Sequence, residues 1–240
     1  MRTLPRLMPR TVSRAGAATL LRLVWTLTGL APQAVASGST PGDFEMFAAI
    51  PAARSTSALD WILYVGPLSP ESGAADLLVA LAGWAEQHPD RPIEITWAGV
   101  GDLAGVFEAQ PLPCTLTQRF VGELDRAALA EAFADASILA APLSDNGGPV
   151  LEALAAGLVV IGGRRAPAMR SIVGVHGPAW SYDERSLLDL AATLSAALDE
   201  KPEARDARRR AGRLLAHDIR AAEAVRLPAA PRRLVSSEAL

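Results

Sequence analysis

The chain has 240 residues, half of them hydrophobic and a fifth charged, with a net charge of −3. That is a globular composition with room for one large domain, and its charge excludes a general nucleic-acid binder. One cysteine, Cys114, and three scattered histidines, His88, His176 and His217, exclude an internal disulfide and any metal-ligand spacing, so a reducing compartment and no metal are expected.

Residues 1–42 hold five arginines and no acid, which leaves −8 for the remainder. MRTLPRLMPRTVSR followed by AGAATLLRLVWTLTGLAPQAVASG has a basic start, an apolar middle and Ala-Val-Ala before Ser37, the pattern of a signal or anchor. Arg22 interrupts the apolar run and weakens a membrane span. Leu20, Leu21, Val24 and Leu27, flanked by Arg, equally fit an amphipathic helix on an anionic membrane, and the segment also fits a remnant or docking helix of a larger fold. These readings stay open. Residues 41–60 read as a linker, within a stretch rich in Ser, Ala, Pro and Gly.

From Trp61 strands and helices alternate. WILYVG (61–66) is a short apolar strand. Leu77, Leu78, Leu81 and Trp84 recur at helical spacing, giving a helix over 73–88 that ends near His88-Pro89. Strands follow at 93–99, 115–122, 137–142 and 158–163, with a weaker one at 179–182. Helices are expected at 103–109, 125–135, 149–157, 166–172, 184–199 and 202–222. The expected organisation is an amino-terminal segment (1–40), the linker (41–60), an α/β domain (61–200), a charged helix (201–226) and a tail (227–240). Alternating strands and helices imply a doubly wound, Rossmann-like parallel sheet covered on both faces.

Such sheets bind ligands beyond the carboxyl ends of their strands. Four loops are expected there: Gly66–Gly73, Gly99–Asp102, Gly122–Asp125 and Ser144–Pro149. The last is the most informative. Gly147 and Gly148 let backbone approach a ligand, Pro149 suits a first helical position, and the N–H groups of Val150, Leu151 and Glu152 are expected to be free for a phosphate. Glu152, expected in the first turn, either accepts hydrogen bonds from a ribose diol or complements its own helix. Gly99-x-Gly101 lacks the full dinucleotide fingerprint and reads as a turn, and the arginines at 205–213 read as a solvated face. His176 and His217 read as loop and solvated residues, and Cys114 has no base beside it. No P-loop and no nucleophile elbow occur.

Several stretches together resemble the carboxyl-terminal, donor-binding domain of retaining, nucleotide-sugar-dependent glycosyltransferases of the GT-B fold, glycosyltransferase family 4. They are GDFEMFAAIP (42–51), ILYVGPLSPESGAADLLVAL, ITWAGVGDL and RFVGELDRAALAEAFADASILAAPLSDNGGPVLEALAAGLVVIGG. The resemblance covers residues 40–200. It implies transfer of a sugar from a nucleotide diphosphate to a glycan or lipid-linked hydroxyl acceptor, with no cofactor and no metal. It also implies roles. Glu152 matches the second acid of the family's E-x7-E motif, which holds the donor ribose. Asn146, Gly147, Gly148, Val150 and Leu151 match the loop and helix start around the diphosphate and sugar, Gly66 the glycine of the first loop, and Glu123 and Leu124 the seat of the base. Pro67 stands where the family has Arg, Ser72 where it has Lys, and Ser144 where the first acid belongs. With almost no acceptor-binding half in the chain, the expectation is a separately encoded partner half, a cytoplasmic location and peripheral contact with the inner membrane through residues 1–30. The alternative is an inactive binding or scaffold module, or a truncated remnant.

Overall fold

The computed structural model describes residues 41–51, 60–142, 147–172 and 177–226. The segment 1–40, the loop residues Ser144, Asp145 and Asn146, His176 and the tail 227–240 lie outside the described residues. No helix among the described residues is long and apolar enough to cross a membrane.

In chain order the elements are α1 (Pro41–Ala48), β1 (Asp60–Val65), a 3-10 turn (Pro70–Ser72), α2 (Ala74–Gln87), β2 (Ile93–Ala98), α3 (Ala104–Ala109) and β3 (Leu116–Gly122). Then come α4 (Arg126–Asp135), β4 (Ile138–Ala141), α5 (Gly147–Ala156), β5 (Val159–Gly163), α6 (Pro167–Ile172), β6 (Ala179–Tyr182), α7 (Leu187–Leu198) and α8 (Pro202–Arg226). The strands form one sheet in the order β3-β2-β1-β4-β5-β6, every pair parallel. Ile62 of β1 sits between Ile95 and Ile138 in register.

Both faces are covered, so alternate strand residues serve two cores. Ile62 and Tyr64 join Leu77, Leu81, Trp84, Trp97 and Leu194 on the face of α2, α3 and α7. Leu63 joins Phe133, Leu139, Val150, Leu154 and Met169 on the face of α4, α5 and α6. Burial on both sides is why the strands read as continuous apolar runs rather than an alternation. Trp97 is fully enclosed, and its indole N–H donates to Gln118 Oε1 (2.8 Å), whose amide nitrogen donates to Phe107 O (2.9 Å). The fold agrees with the expected doubly wound α/β sheet.

Two expectations are corrected. The segment read as a linker contains α1, whose Phe44 and Phe47 are 2% and 0% exposed and pack in the second core. Burying each ring contributes about 1.5–3 kcal/mol, more than a small helix loses to its Gly and Pro content. The arginine run is not a solvated face either: the side chains of Arg205, Arg208 and Arg209 are 11%, 20% and 8% exposed. Arg205 donates to Ala197 O (3.1 Å) and Leu198 O (3.0 Å), closing the carboxyl end of α7. Arg213 donates to Ala156 O (2.7 Å) and to Ile50 O, closing the end of α5. Helix ends present unpaired carbonyls and a negative dipole, so cations of a crossing helix are drawn to them.

Candidate functional site

β1 and β4 are neighbours, yet the chain travels out to β3 before returning to β4. The crevice of this sheet therefore opens between the carboxyl ends of β1 and β4. The helices that follow those strands, α2 and α5, both begin there. Two positive helix ends converge on one edge, which favours an anion.

The first loop is held by its own backbone. Gly66 N–H donates to Ala98 O (3.0 Å), Leu68 N–H to Val100 O (2.9 Å) and Leu103 N–H to Leu68 O (3.0 Å). The loops after β1 and β2 are thus zipped together, and the Gly99-x-Gly101 spacing has a packing cause. A Cβ on Gly99 would lie 1.8 Å from Gly66 O, and one on Gly101 2.2 Å from Leu68 O. Pro67, standing where a cation was expected from the resemblance, offers its carbonyl to the Tyr64 hydroxyl at 2.7 Å. Ser72, at the other cationic position, donates to Ser69 O (2.7 Å) and accepts from Ala74 N–H (3.3 Å). The loop and the first turn of α2 carry Glu71 and Asp76 and no cation.

Tyr64 and Tyr182, 3% and 4% exposed, lie on the α2 side of the crevice. Burial pushes both phenols above their ordinary 10.0; the hydrogen bond with Ser72 opposes this at Tyr64, whereas the charges of Glu184 and Asp76 add to it at Tyr182. The folded state keeps both neutral. Their contribution to stability is complete below pH 10.0 and is lost as the pH rises above it, because the unfolded chain ionises first. These are the only tyrosines. Tyrosinate ultraviolet absorbance is therefore expected to stay flat through pH 10 and to appear only with the loss of near-ultraviolet circular dichroism. A reversible rise at pH 10 in the folded protein would contradict this.

The fourth loop departs from expectation in its helix start. α5 begins at Gly147, two residues ahead of Pro149, so Pro149 is the third helical residue and still lacks no bond, because the opening N–H groups have no intrahelical carbonyl. The N–H groups that precede the i→i−4 ladder are those of Gly147 and Gly148, whereas those of Leu151 and Glu152 fall inside it. Val150 and Leu151, 0% and 3% exposed, anchor the helix in the second core and present no side chain to solvent.

Glu152 is the sixth residue of α5, not part of its first turn, and is 1% exposed. Its carboxylate is gripped by the fork of Arg126, the first residue of α4: Nη1 donates to Oε2 (3.1 Å) and Nη2 to Oε1. Arg126 also reaches Asp43 of α1 (3.7 Å) and lies over the Phe47 ring (5.0 Å to its centroid). One arginine thus joins α1, α4 and α5. Neither partner was paired in the sequence; the only available hint was an acid in a helix otherwise made of small and apolar residues. Glu123 is exposed and Leu124 half-buried. They follow a bulge at which Ala98 pairs with Gly122 after Trp97 pairs with Phe120, and they precede Asp125, whose Oδ1 caps α4 by accepting from Ala128 N–H (2.8 Å). Among the described residues no group of His, Cys, Asp and Glu could hold a metal.

Residues 60–200 match the model of the family described as glycosyl transferases group 1. The chain is 32% identical over 158 residues to a glycogen synthase of Mycobacterium tuberculosis, a match covering 63% of this chain and 37% of that protein. It thus spans little more than a third of the length of the curated relatives it matches. Among solved structures it is similar to the carboxyl-terminal domain of a group 1 glycosyl transferase from Francisella tularensis (TM-score 0.54, 17% identity, 66% of this chain and 84% of that one). It is also similar to the catalytic domain of cholesterol-α-glucosyltransferase from Helicobacter pylori (TM-score 0.54, 19% identity, 66% and 98%). These likenesses put the six-stranded sheet among GT-B glycosyltransferase domains, and the family match over all six strands makes this chain a member of the glycosyl transferases group 1 family.

Proposed function

We propose that the chain is the donor-binding half of a retaining glycosyltransferase. It takes a nucleoside diphosphate sugar across the β1/β4 crevice and serves transfer to a glycan or lipid-linked hydroxyl without a metal. The observation that carries this reading is the convergence of the α2 and α5 amino termini on that crevice. Negative charge develops on the leaving diphosphate, and the N–H groups of Gly147 and Gly148 with the α5 dipole are placed to stabilise it. The base is assigned to Glu123 and Leu124, the sugar to the loop containing Asn146, and the ribose to Glu152. The cations missing at Pro67 and Ser72 are assigned to a separately encoded acceptor half, with contact to an anionic membrane through residues 1–30. No residue described here acts as general base.

Calorimetry with uridine diphosphate and its 2′-deoxy analogue tests the ribose assignment. Wild-type protein is expected to prefer the ribonucleotide by about tenfold, and Glu152→Gln is expected to erase that preference. A merely structural Glu152 would lower both affinities alike. No binding of either nucleotide at millimolar concentration would overturn the donor-site reading.

One observation favours a second reading, a non-catalytic binding module: the first loop is closed on itself through Tyr64–Pro67 and Ser69–Ser72 and, with the first turn of α2, carries Glu71 and Asp76 and no cation. Sugar transfer on adding the product of a neighbouring reading frame that encodes an acceptor half would exclude it.

A further inference from the structure

At the opposite edge of the sheet lies a cavity of about 460 Å³, within the range of small-molecule sites. It is lined by Asp60 at the start of β1, Arg91 just before β2, the α7–α8 junction with Lys201, and Arg205 and Arg209 of α8. Arg205 and Arg209 share one face of α8, and Lys201, the residue before its first, stands one turn ahead of Arg205, whose N–H it accepts.

The lining carries four carboxylates, Asp60, Asp199, Glu200 and Asp206, against four cations, and three of those carboxylates are committed to arginines other than Arg209. Asp60 is held by Arg205 (2.6 Å) and Asp199 by Arg91. Glu200 is held by Arg208 (2.8 Å), which stacks on Trp180 (4.3 Å). With those acids committed, Arg209 is left without a hydrogen bond. Its side chain is 8% exposed, its Nε is buried with no partner, and the nearest carboxylate, Asp206, stands at 3.7 Å and is largely solvated. Burial and the neighbouring Arg205 depress the pKa of Arg209, against the opposing charges of Asp206, Asp60 and Glu200. A guanidinium brings five donors, and burying one that makes no hydrogen bond costs more than a 3.7 Å ion pair with a solvated carboxylate returns. Beside it, the N–H groups of Glu203 and Ala204 precede the first i→i−4 bond of α8, Arg205 to Lys201 (2.9 Å), and the dipole of a 25-residue helix points its positive end at the cavity.

We propose that this cavity binds a small phosphate-bearing anion, with Arg209 and Lys201 as cationic ligands and the amino terminus of α8 as the backbone cradle. The ligand is a phosphate dianion, free or carried by a small sugar. This site lies at the amino ends of the strands, away from the donor crevice, and does not depend on the nucleotide reading.

The test uses the full chain at constant ionic strength, with inorganic phosphate and a hexose phosphate as probes and chloride as control. Melting temperature is expected to rise saturably with one or both phosphates and not with chloride. Equal binding of the two identifies free phosphate as the ligand, and tighter hexose phosphate identifies a sugar ester. Arg209→Met is expected to raise the melting temperature in phosphate-free buffer, because it removes a buried charge that makes no hydrogen bond, and to lower phosphate affinity at least about tenfold. Lys201→Gln, on the surface, is expected to weaken binding severalfold with no change in stability. The assignment is overturned if neither phosphate binds, if Arg209→Met destabilises the protein, or if both variants bind phosphate as the wild type does.

Discussion

Gly99→Ala is expected to lower stability by more than about 3 kcal/mol, or to prevent folding altogether. The added methyl would stand 1.8 Å from Gly66 O and 2.8 Å from Gly66 C, and neither atom belongs to a side chain that can swing away. Relief requires the loops after β1 and β2 to part, which breaks the Gly66–Ala98 and Leu68–Val100 hydrogen bonds and moves the crevice wall. Gly105→Ala is the control. Nothing lies within 4 Å of its Cβ position, and it is an exposed residue of α3, so that replacement is expected to be neutral or stabilising by up to about 1 kcal/mol. Urea midpoints of the two variants measure the contrast. A Gly99→Ala protein as stable as the wild type would mean the two loops are not in contact.

Arg126→Met is expected to cost about 2–4 kcal/mol. It strips the fork from a carboxylate that is 1% exposed, and it also removes the cation beside Asp43 and over Phe47. The estimate sits below the range for a fully buried pair, because the Arg126 side chain is 41% exposed and water reaches part of it. Replacing both partners, Arg126→Met with Glu152→Leu, is expected to recover part of the loss, because the buried carboxylate is removed together with its fork. Chemical denaturation of the two single variants and the double variant gives the coupling directly. Additive losses would mean that the pair does not join α1, α4 and α5.

Glu152 bears on function and on stability through the same atoms. A residue spent on holding three helices together can still orient a ribose, but only if the nucleotide shares the carboxylate with Arg126. The ribonucleotide preference isolates that shared role, because helix tethering does not distinguish a ribose from a deoxyribose.

The order of elements was legible from the chain alone, and for a local reason. Strands buried on both faces are short apolar runs, helices repeat at 3.6 residues, and glycines and prolines mark the joints. WILYVG, IEITWAG and LVVIGG therefore announce strands β1, β2 and β5 to within a residue or two of their bounds, and alternation with helices admits little besides a parallel doubly wound sheet. The glycines of the crevice loops could likewise be named in advance. What lay beyond the sequence was every decision made between distant residues. Gly99 reads as a turn glycine until Gly66 is brought against it. α1 reads as a linker until Phe44 and Phe47 find a core built by residues a hundred positions away. Arg205 and Arg213 read as part of a solvated stripe until the ends of α7 and α5 arrive beneath them. Glu152 reads as a ligand or a dipole partner until α4 delivers Arg126. Local propensity is set by neighbours in the chain, whereas the fate of a charge or a close contact is set by neighbours in space, and only the packed sheet supplies those.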